Sequence, residues 1–305
     1  MSGRRAANSV EWPTIGLAVV LYGGWLALTF FWRAVPLALL LPLAAWTIAW
    51  HGSLQHEVLH GHPTASRAFN TALGFPPLAL WLPFARYRAE HLRHHNDTRL
   101  TDPLDDPESY YTTAQDWRRL GPVGRALVRA QTTLAGRLVL GPAWLIGRFL
   151  GNEARGLWRG EPGLRRVWLL HALGVAAVLV WLEAVCGLGL GRYLLLFVYP
   201  GTALSLVRSF AEHRARHEIG HRTAIVEDAP VLGLLFLYNN LHAVHHARPR
   251  MAWYEIPRWY RAHRAEVLAA NGGLVYRGYA EVFRRFLFRP HDTPVHPLEG
   301  AATRA

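Results

Sequence analysis

The chain has 305 residues, of which 51% are hydrophobic and only 18% are charged, a charged fraction below the roughly 25% of soluble domains that indicates a membrane protein. A single cysteine, Cys186, excludes an internal disulfide framework and the paired-cysteine motifs of zinc ribbons, rubredoxins and iron–sulfur sites. The net charge of +12 comes from arginine without any lysine, and because no nucleic-acid recognition motif accompanies it, an anionic membrane surface is the expected partner and nucleic acid is not.

Two apolar runs near the N-terminus predict a helical hairpin over about residues 14–50. The runs Thr14–Phe31 and Val35–Trp50 contain no charged residue, and each approaches the ~20 residues that a helix needs to cross a bilayer. Tryptophans lie mostly near the ends of these runs, as interfacial aromatic residues do. Residues 1–11 are polar and lack a cleavage signal, so we expect no removable signal peptide.

The first histidine cluster follows this hairpin in the sequence HEVLH, with His56 and His60 four residues apart. The next apolar stretch, Phe69–Ala85, contains three prolines, which break a spanning helix and predict a re-entrant or interfacial segment. The second cluster, HLRHH at residues 91–95, comes directly afterwards. We therefore expect the first two clusters on the same side of the membrane.

A polar stretch, residues 96–133, precedes two further apolar regions. It contains the acidic run Asp102–Glu108, which is either an ordinary proline-rich loop or a loop that serves the second cluster or a redox partner. The run Leu138–Leu150 predicts a helix that lies on the membrane. Val167–Cys186 and Tyr193–Val207 predict a second spanning hairpin over about residues 167–207.

The third cluster, HAVHH at residues 242–246, lies in the polar C-terminal part. Of the 33 arginines, only Arg33 and Arg192 fall in the two short hairpin loops. The positive-inside rule therefore predicts that both termini and all three clusters are cytoplasmic.

The expected fold is an all-α integral membrane protein of one domain, residues 1–305. It has about four transmembrane helices in two hairpins, and a cytoplasmic helical cap of residues 51–166 and 208–305 holds a histidine-rich dimetal site.

The three clusters supply eight histidines, more than one metal ion coordinates. Spacings of three and four residues put imidazoles on one face of a helix, and neutral imidazole is a ligand for iron, copper, zinc and nickel. Neighbouring carboxylates are expected to orient the imidazoles and to balance the charge of the metals. The candidates are Glu57, Glu90 and Glu212 beside cluster histidines, and Asp97 and Asp102 after the second cluster.

The order HxxxH, HxxHH, HxxHH, with spanning hairpins before the first box and between the second and third, resembles the integral-membrane fatty acid desaturase superfamily. The resemblance covers about Trp46 to Pro257, and the flanking Asn239 and Asn240 are similar to those of bacterial desaturase-like members. It implies two iron ions held by the box histidines and by one histidine after the last spanning helix. For that ninth ligand we expect His213, with His217 as the competitor. The metal ligands are then His56, His60, His91, His94, His95, His213, His242, His245 and His246.

Relatives often carry Asn four residues before the ninth histidine, where this chain has Ser209. The outer residues expected to support the ligands are Glu57, Glu90, Asp102, Glu212, Asn239 and Asn240. The isolated histidines of the polar tail, His263, His291 and His296, are expected to be solvated.

The resemblance implies an O₂-dependent oxidoreductase that desaturates a fatty acyl or lipid-like chain. The alternative is a hydroxylase or ketolase of the same superfamily that acts on an alkyl, carotenoid or smaller metabolite. Because the chain has no nucleotide-binding, rubredoxin or haem motif, electrons are expected from a separate ferredoxin, rubredoxin or cytochrome b5-type donor with its reductase. The expected location is the inner membrane of a bacterium.

Two other function classes compete with the oxygenase. The sequence HEVLH also satisfies the HExxH pattern of zinc proteases, in which the glutamate is the general base. That interpretation leaves the second and third clusters unexplained. A metal transporter or sensor would be expected to carry its histidines within the spanning segments, whereas these histidines follow them.

Overall fold

The computed structural model describes residues 10–96 and 98–298. The two chain ends and Asp97, on which predictions were made, lie outside the described residues.

The described chain is mostly helical and also contains two short strands. The N-terminal helices are α1 Trp12–Phe30, α2 Leu37–Leu59, α3 Arg67–Gly74, α4 Phe84–Asn96, α5 Ala114–Arg119, α6 Pro122–Gln131 and α7 Leu134–Trp158. The later elements are α8 Leu164–Val185, α9 Leu190–Glu212, β1 Ile225–Asp228, α10 Pro230–Leu235, α11 His242–Ala247, α12 Ile256–Ala270, β2 Val275–Gly278 and α13 Tyr279–Phe286.

Among the described residues, four helices are long and apolar enough to cross a membrane, namely α1, α2, α8 and α9. The predicted mostly helical fold with about four candidate spans in two hairpins is thereby confirmed. Helix α2 continues nine residues beyond the predicted end of its apolar run, because nothing interrupts it before Gly61, whose φ of 101° is incompatible with a helix. The last turn of α2 therefore carries His56.

The described residues form two compact units. One comprises residues up to 88 together with 146–204, and the other comprises residues 89–145 together with those from 205 onward. The expectation of a single domain over residues 1–305 stays a prediction.

In the first unit, α2 and α9 approach each other closely at Gly201. A Cβ atom at this position would lie 2.5 Å from Cβ of Ile48 and 3.0 Å from the carbonyl oxygen of Ala45. Small residues at helix contacts allow this approach between apolar helices, where dispersion replaces the hydrophobic effect. A hydrogen bond also joins α1 to α9 in the same unit. The indole N–H of Trp25 donates to the Tyr193 hydroxyl at 2.9 Å.

Gly201→Ala is expected to lower the free energy of unfolding by about 1–3 kcal/mol, because the added methyl overpacks a rigid contact. Thermal unfolding of the purified protein in detergent measures the loss. Gly151→Ala on α7 is the matched control, since a Cβ there meets no atom within 4 Å. Equal unfolding temperatures for the two variants would show that α2 and α9 are not tightly packed.

The prolines of the 69–85 stretch end helical structure after α3, as predicted, and leave backbone carbonyl groups without helical partners. Side chains of the same unit satisfy these groups, as non-helical backbone in an apolar setting requires. Tyr22 OH donates to the carbonyl of Leu73 at 2.6 Å, Gln55 to Gly74 at 2.8 Å, Tyr193 OH to Leu78 at 2.6 Å and His171 to Leu80 at 2.8 Å.

In the second unit, β1 and β2 form a two-stranded parallel sheet. A core of buried apolar residues joins β1, α11 and α12 and consists of Ile225, Leu241, Val244, Ile256, Tyr260 and Val267. Helix α11 has only six residues, so its position depends on this packing through Val244 rather than on intrinsic helix stability.

Residues 287–298 are part of this unit and are packed against it. The backbone N–H of His291 donates to Thr132 at 2.8 Å and that of His296 to Thr112 at 3.1 Å. The side chains of both histidines are buried, and their rings contact Tyr276 and Thr101. The prediction of solvated His291 and His296 was therefore wrong, because isolated polar residues give no sequence signal of tertiary burial. His263 is half-buried against Trp259.

Candidate metal centre

The second and third histidine boxes lie on helices, as their spacing predicts. His91, His94 and His95 belong to the last two turns of α4, and the third box begins α11. His213 follows the last residue of α9. These seven histidines all belong to the second unit.

Their imidazole nitrogens converge in two groups. His91, His95 and His245 form one, and His94, His213, His242 and His246 form the other, with the offered nitrogens within 4.8 Å of one another in each group. Nε2 of His95 lies 3.0 Å from Nε2 of His91 and 2.9 Å from Nε2 of His245. Nε2 of His242 lies 3.0 Å from Nε2 of His213 and 3.2 Å from Nε2 of His246.

The outward nitrogens of several of these rings are held by oxygen acceptors. Nδ1 of His91 is 2.6 Å from Oε1 of Glu108, and Nδ1 of His94 is 2.8 Å from Oδ1 of Asp106. Nδ1 of His242 is 2.9 Å from Oδ1 of Asn239. Nδ1 of His213 is 3.3 Å from the carbonyl of Arg222. Such partners fix the tautomer of a ligating histidine and aim its other nitrogen at the metal.

The short distance between Nε2 of His213 and Nε2 of His242 indicates a binding site for a cation between the two rings. A neutral imidazole whose Nδ1 donates a hydrogen presents a lone pair at Nε2. Two such lone pairs facing each other at 3.0 Å repel, because neither atom carries a hydrogen to donate. Metal–nitrogen bonds of about 2.0–2.1 Å at right angles would separate the two nitrogens by a similar distance. The residues present therefore fit a metal ion.

Burial keeps several of these rings neutral. It lowers the pKa of His95 and of His213 to about 3, and the charge of neighbouring histidines adds to this effect. Burial likewise holds the pKa values of His242 and His246 well below their ordinary value. The rings are thus in the protonation state that ligates metals.

His94 behaves differently because carboxylates surround it. Burial lowers its pKa, but the charges of Glu108 and Asp106 outweigh this effect and raise the pKa to about 9. Nε2 of His94 is buried and has no hydrogen-bond partner among the described residues. A field that favours a proton on this nitrogen favours any cation there, including a metal ion.

The first unit contains the first box. The rings of His56 and His60 lie with their centroids 5.0 Å apart, and both side chains are buried. Glu57 is also buried, and its carboxylate lies 3.5 Å from Nδ1 of His62. His62 in turn is 2.8 Å from the carboxylate of Glu11. This buried group of Glu11, Glu57 and His62 was not predicted, because Glu11 lies 51 residues before His62 in the sequence.

Two of the predicted outer residues contact the third box. Oε1 of Glu212 is 3.3 Å from Nδ1 of His242, and it also pairs with Arg208. Asn239 holds the same ring nitrogen, as described above. Asn240 instead anchors the backbone, because its side-chain amide donates to the carbonyl of Val226 on β1 at 2.6 Å.

Glu90 lies half-buried on α4. Asp102 accepts hydrogen bonds from the backbone N–H groups of Leu104 and Asp105 at 2.8 and 3.2 Å. It therefore shapes the acidic loop, while Asp106 and Glu108 contact the second box. Of the run Asp102–Glu108, only Asp102 was predicted to support the ligands. The turn of the loop instead brings Asp106 and Glu108 to the histidines.

The two candidates for the ninth ligand have different surroundings. His213 is buried, its Nε2 lies beside that of His242, and its backbone carbonyl accepts a hydrogen bond from the Tyr110 hydroxyl at 2.6 Å. His217 is exposed. Among the described residues, His217 belongs to no group that could hold a metal.

The sequence model of the family described as fatty acid desaturase matches residues 30–280. The chain belongs to the fatty acid desaturase family. The resemblance seen in the three histidine boxes is thus confirmed, and this desaturase-family protein is an oxidoreductase-type enzyme with histidine clusters able to hold metal. Comparison with curated proteins gave no match.

Proposed function

We propose that this protein is a di-iron, O₂-dependent oxidoreductase that desaturates an aliphatic, fatty acyl or lipid-like chain. The observation that supports it best is the pair of facing Nε2 atoms on His213 and His242, 3.0 Å apart, whose repulsion a bound cation relieves. Neutral imidazole suits iron as well as other transition metals, and family membership favours iron as that cation.

The proposed ligands of the two irons are the nine histidines predicted from the sequence. His94, His213, His242 and His246 would serve one iron, and His91, His95 and His245 would serve the other. His56 and His60 would supply the remaining ligands, as the family resemblance implies. When bound, the irons supply the redox chemistry that activates O₂ for C–H cleavage.

The overall reaction needs an external supply of electrons. Removing two hydrogens from an alkyl chain while O₂ becomes two waters consumes two more electrons and two protons. A hydroxylation that returns one oxygen to the substrate and one to water has the same requirement. A ferredoxin, rubredoxin or cytochrome b5-type donor with its reductase would provide these electrons singly.

The carboxylates beside the second box would keep the ligands in place during this chemistry. Asp106 and Glu108 each accept from the Nδ1–H of a histidine, at 2.8 Å for His94 and 2.6 Å for His91, which would direct Nε2 of each ring inward. Burial would raise the pKa of Glu108, but the charges of His91 and His94 outweigh it and hold that pKa well below its ordinary value. The carboxylate therefore stays an acceptor.

The substrate and the location follow from the same reasoning. Four helices long and apolar enough to span a bilayer support an apolar substrate taken from the membrane. Hydroxylation or ketolation of an alkyl, carotenoid or smaller metabolite is the alternative outcome, since the ligands are shared by these reactions. The proposed location is a bacterial inner membrane, with both termini and the metal site in the cytoplasm.

The zinc-protease interpretation loses its support with the family match, because that match extends over residues 30–280 and not over the HExxH sequence alone. Glu57, the residue that such a protease would use as its general base, lies close to His62, with 3.5 Å between the carboxylate and Nδ1.

Protein prepared without oxygen is expected to contain two iron atoms per chain and to consume O₂ only when a reductant and an apolar chain are supplied. Elemental analysis and Mössbauer spectroscopy measure the iron, and mass spectrometry of lipids from cells with and without the gene identifies the product. Full activity with one zinc and no iron, or turnover under strict anaerobiosis, would refute the assignment.

A further inference from the structure

The surface beyond the third histidine box carries an unusual concentration of positive charge. Residues 248–264 contain five arginines and one acidic residue, Glu255. All five arginines are exposed. We define four of them together with Trp259 as the basic face: Arg248, Arg250, Arg258, Arg261 and Trp259. The fifth, Arg264, is neutralised by an ion pair with Glu227 at 2.6 Å.

An aromatic cluster lies at the centre of the basic face. The guanidinium of Arg248 lies over the ring of Trp259, 4.6 Å from its centroid. On its helix, Trp259 also stacks on His263, with centroids 4.2 Å apart and planes 8° from parallel. Trp259 is half-buried. Tryptophan and arginine are the residue types that most often dominate protein–protein binding energy.

The basic face is close to the proposed metal ligands within the same unit. Arg248 is two residues beyond His246 and caps α11, with its backbone N–H donating to the carbonyl of Val244 at 2.9 Å. The buried side of α12 packs on Val244 through Ile256 and Tyr260. The exposed side of α12 is therefore about one helix diameter, ~10 Å, from α11. The rate of electron tunnelling falls steeply with distance. A carrier on the exposed side of α12 would therefore be close enough to the proposed ligands for rapid electron transfer.

The composition of the face distinguishes a protein partner from a lipid surface. Helices that bind membrane interfaces expose large apolar side chains beside their basic ones. Between residues 235 and 287, all of which are described, no large apolar side chain is exposed. The exposed positions of α12 are instead arginine, alanine and glutamate, which suits a hydrated contact with another protein.

We propose that the basic face is the docking surface for an acidic one-electron carrier protein, and this inference rests on the proposed oxygenase function. The carrier would bind around Trp259, give one electron and leave, and a second visit would complete the two electrons that each turnover needs. The carrier becomes oxidised by one electron at each visit. Complementary charge would mainly accelerate association.

The test compares an R258E/R261E variant with R118E/R119E, which reverses the same number of exposed charges on α5. Neither Arg258 nor Arg261 is among the proposed ligands or their partners. Protein in nanodiscs of zwitterionic lipid is mixed in a stopped-flow instrument with a pre-reduced acidic [2Fe–2S] ferredoxin, and separately with the soluble haem domain of a cytochrome b5. Oxidation of the carrier is followed at low and high salt. O₂ consumption driven by dithionite and methyl viologen, corrected for the direct reaction of both reductants with O₂ in a sample without protein, bypasses docking.

At low salt R258E/R261E is expected to slow carrier oxidation by about tenfold or more, as reversal of a steering charge does. The difference should disappear at high salt, where the screening length is short. Viologen-driven O₂ consumption and the R118E/R119E variant should match the wild type. If the double reversal also impairs viologen-driven turnover, R258Q/R261Q must reproduce a smaller, salt-sensitive loss with the carrier alone.

Three results would overturn the proposal. Equal losses in R258E/R261E and R118E/R119E would mean that only net charge matters. Carrier oxidation at the wild-type rate in R258E/R261E, with viologen-driven turnover intact, would refute the docking surface and leave the oxygenase function standing. An effect that appears only in nanodiscs of anionic lipid would assign the face to the membrane. Absence of O₂ consumption with viologen in the wild type would instead refute the proposed function itself.

Discussion

His213→Ala is expected to lose iron and O₂-dependent turnover, whereas His217→Ala is expected to keep both. The His213 ring is buried with Nε2 3.0 Å from that of His242, so its removal would delete a ligand from the four-histidine group. Loss of a ligand should exceed the about 10–100-fold effect that is typical for partners behind the ligands. Iron content per chain and O₂ uptake with an artificial reductant measure the two effects.

His217 is the control for His213 because it lies four residues along the chain and is exposed. The helix content and unfolding temperature of both variants should be recorded, so that loss of the fold is distinguished from loss of metal. If His213→Ala keeps wild-type iron and activity while His217→Ala is inactive, the ninth ligand has been assigned to the wrong histidine. Alanine at any of the eight box histidines should likewise abolish turnover.

Asp106→Asn and Glu108→Gln are each expected to cost about 10–100-fold in iron affinity or activity, which is the usual effect of removing a carboxylate behind a ligating histidine. Both side chains accept from Nδ1 of a box histidine, at 2.8 Å for His94 and 2.6 Å for His91. An amide in their place can present its N–H₂ group to the ring and stabilise the wrong tautomer. Iron binding is measured by chelator competition, and activity by O₂ uptake.

Asp102→Asn provides the comparison in the same loop. Its carboxylate accepts only from the backbone N–H groups of Leu104 and Asp105 among the described residues, and asparagine accepts such bonds nearly as well. The variant is therefore expected to retain iron. A loss as large in Asp102→Asn as in Glu108→Gln would mean that the loop acts through its overall shape or charge, and that the two ring contacts have no special role.

The histidine spacing alone indicated groups of side chains that could hold a metal. Residues three and four apart must share one face of a helix, and the second and third boxes do lie on α4 and α11. Long apolar runs bounded by arginine and tryptophan identified all four candidate spans. Both signals are local, because each depends on residues within one helix.

The partners of those histidines were much less predictable. Asp106 and Glu108 approach the second box because Asp102 and its neighbours turn the loop back, and Asp102 itself was the residue named from proximity in sequence. The burial of His291 and His296 depends on hydrogen bonds to Thr132 and Thr112, more than 150 residues earlier. No periodicity reports a contact of that range.

By itself, the sequence determined the helical class, the four apolar spans, the histidine boxes and the family, because each is encoded in spacing or composition along one stretch of chain. Only the tertiary structure decided which nitrogens face one another, which carboxylates hold the rings, and which arginines remain exposed beyond the third box. These features depend on how distant elements pack, and the free energy of that packing is spread over many small contacts. Local patterns therefore predicted the candidate ligands, and the fold selected their neighbours.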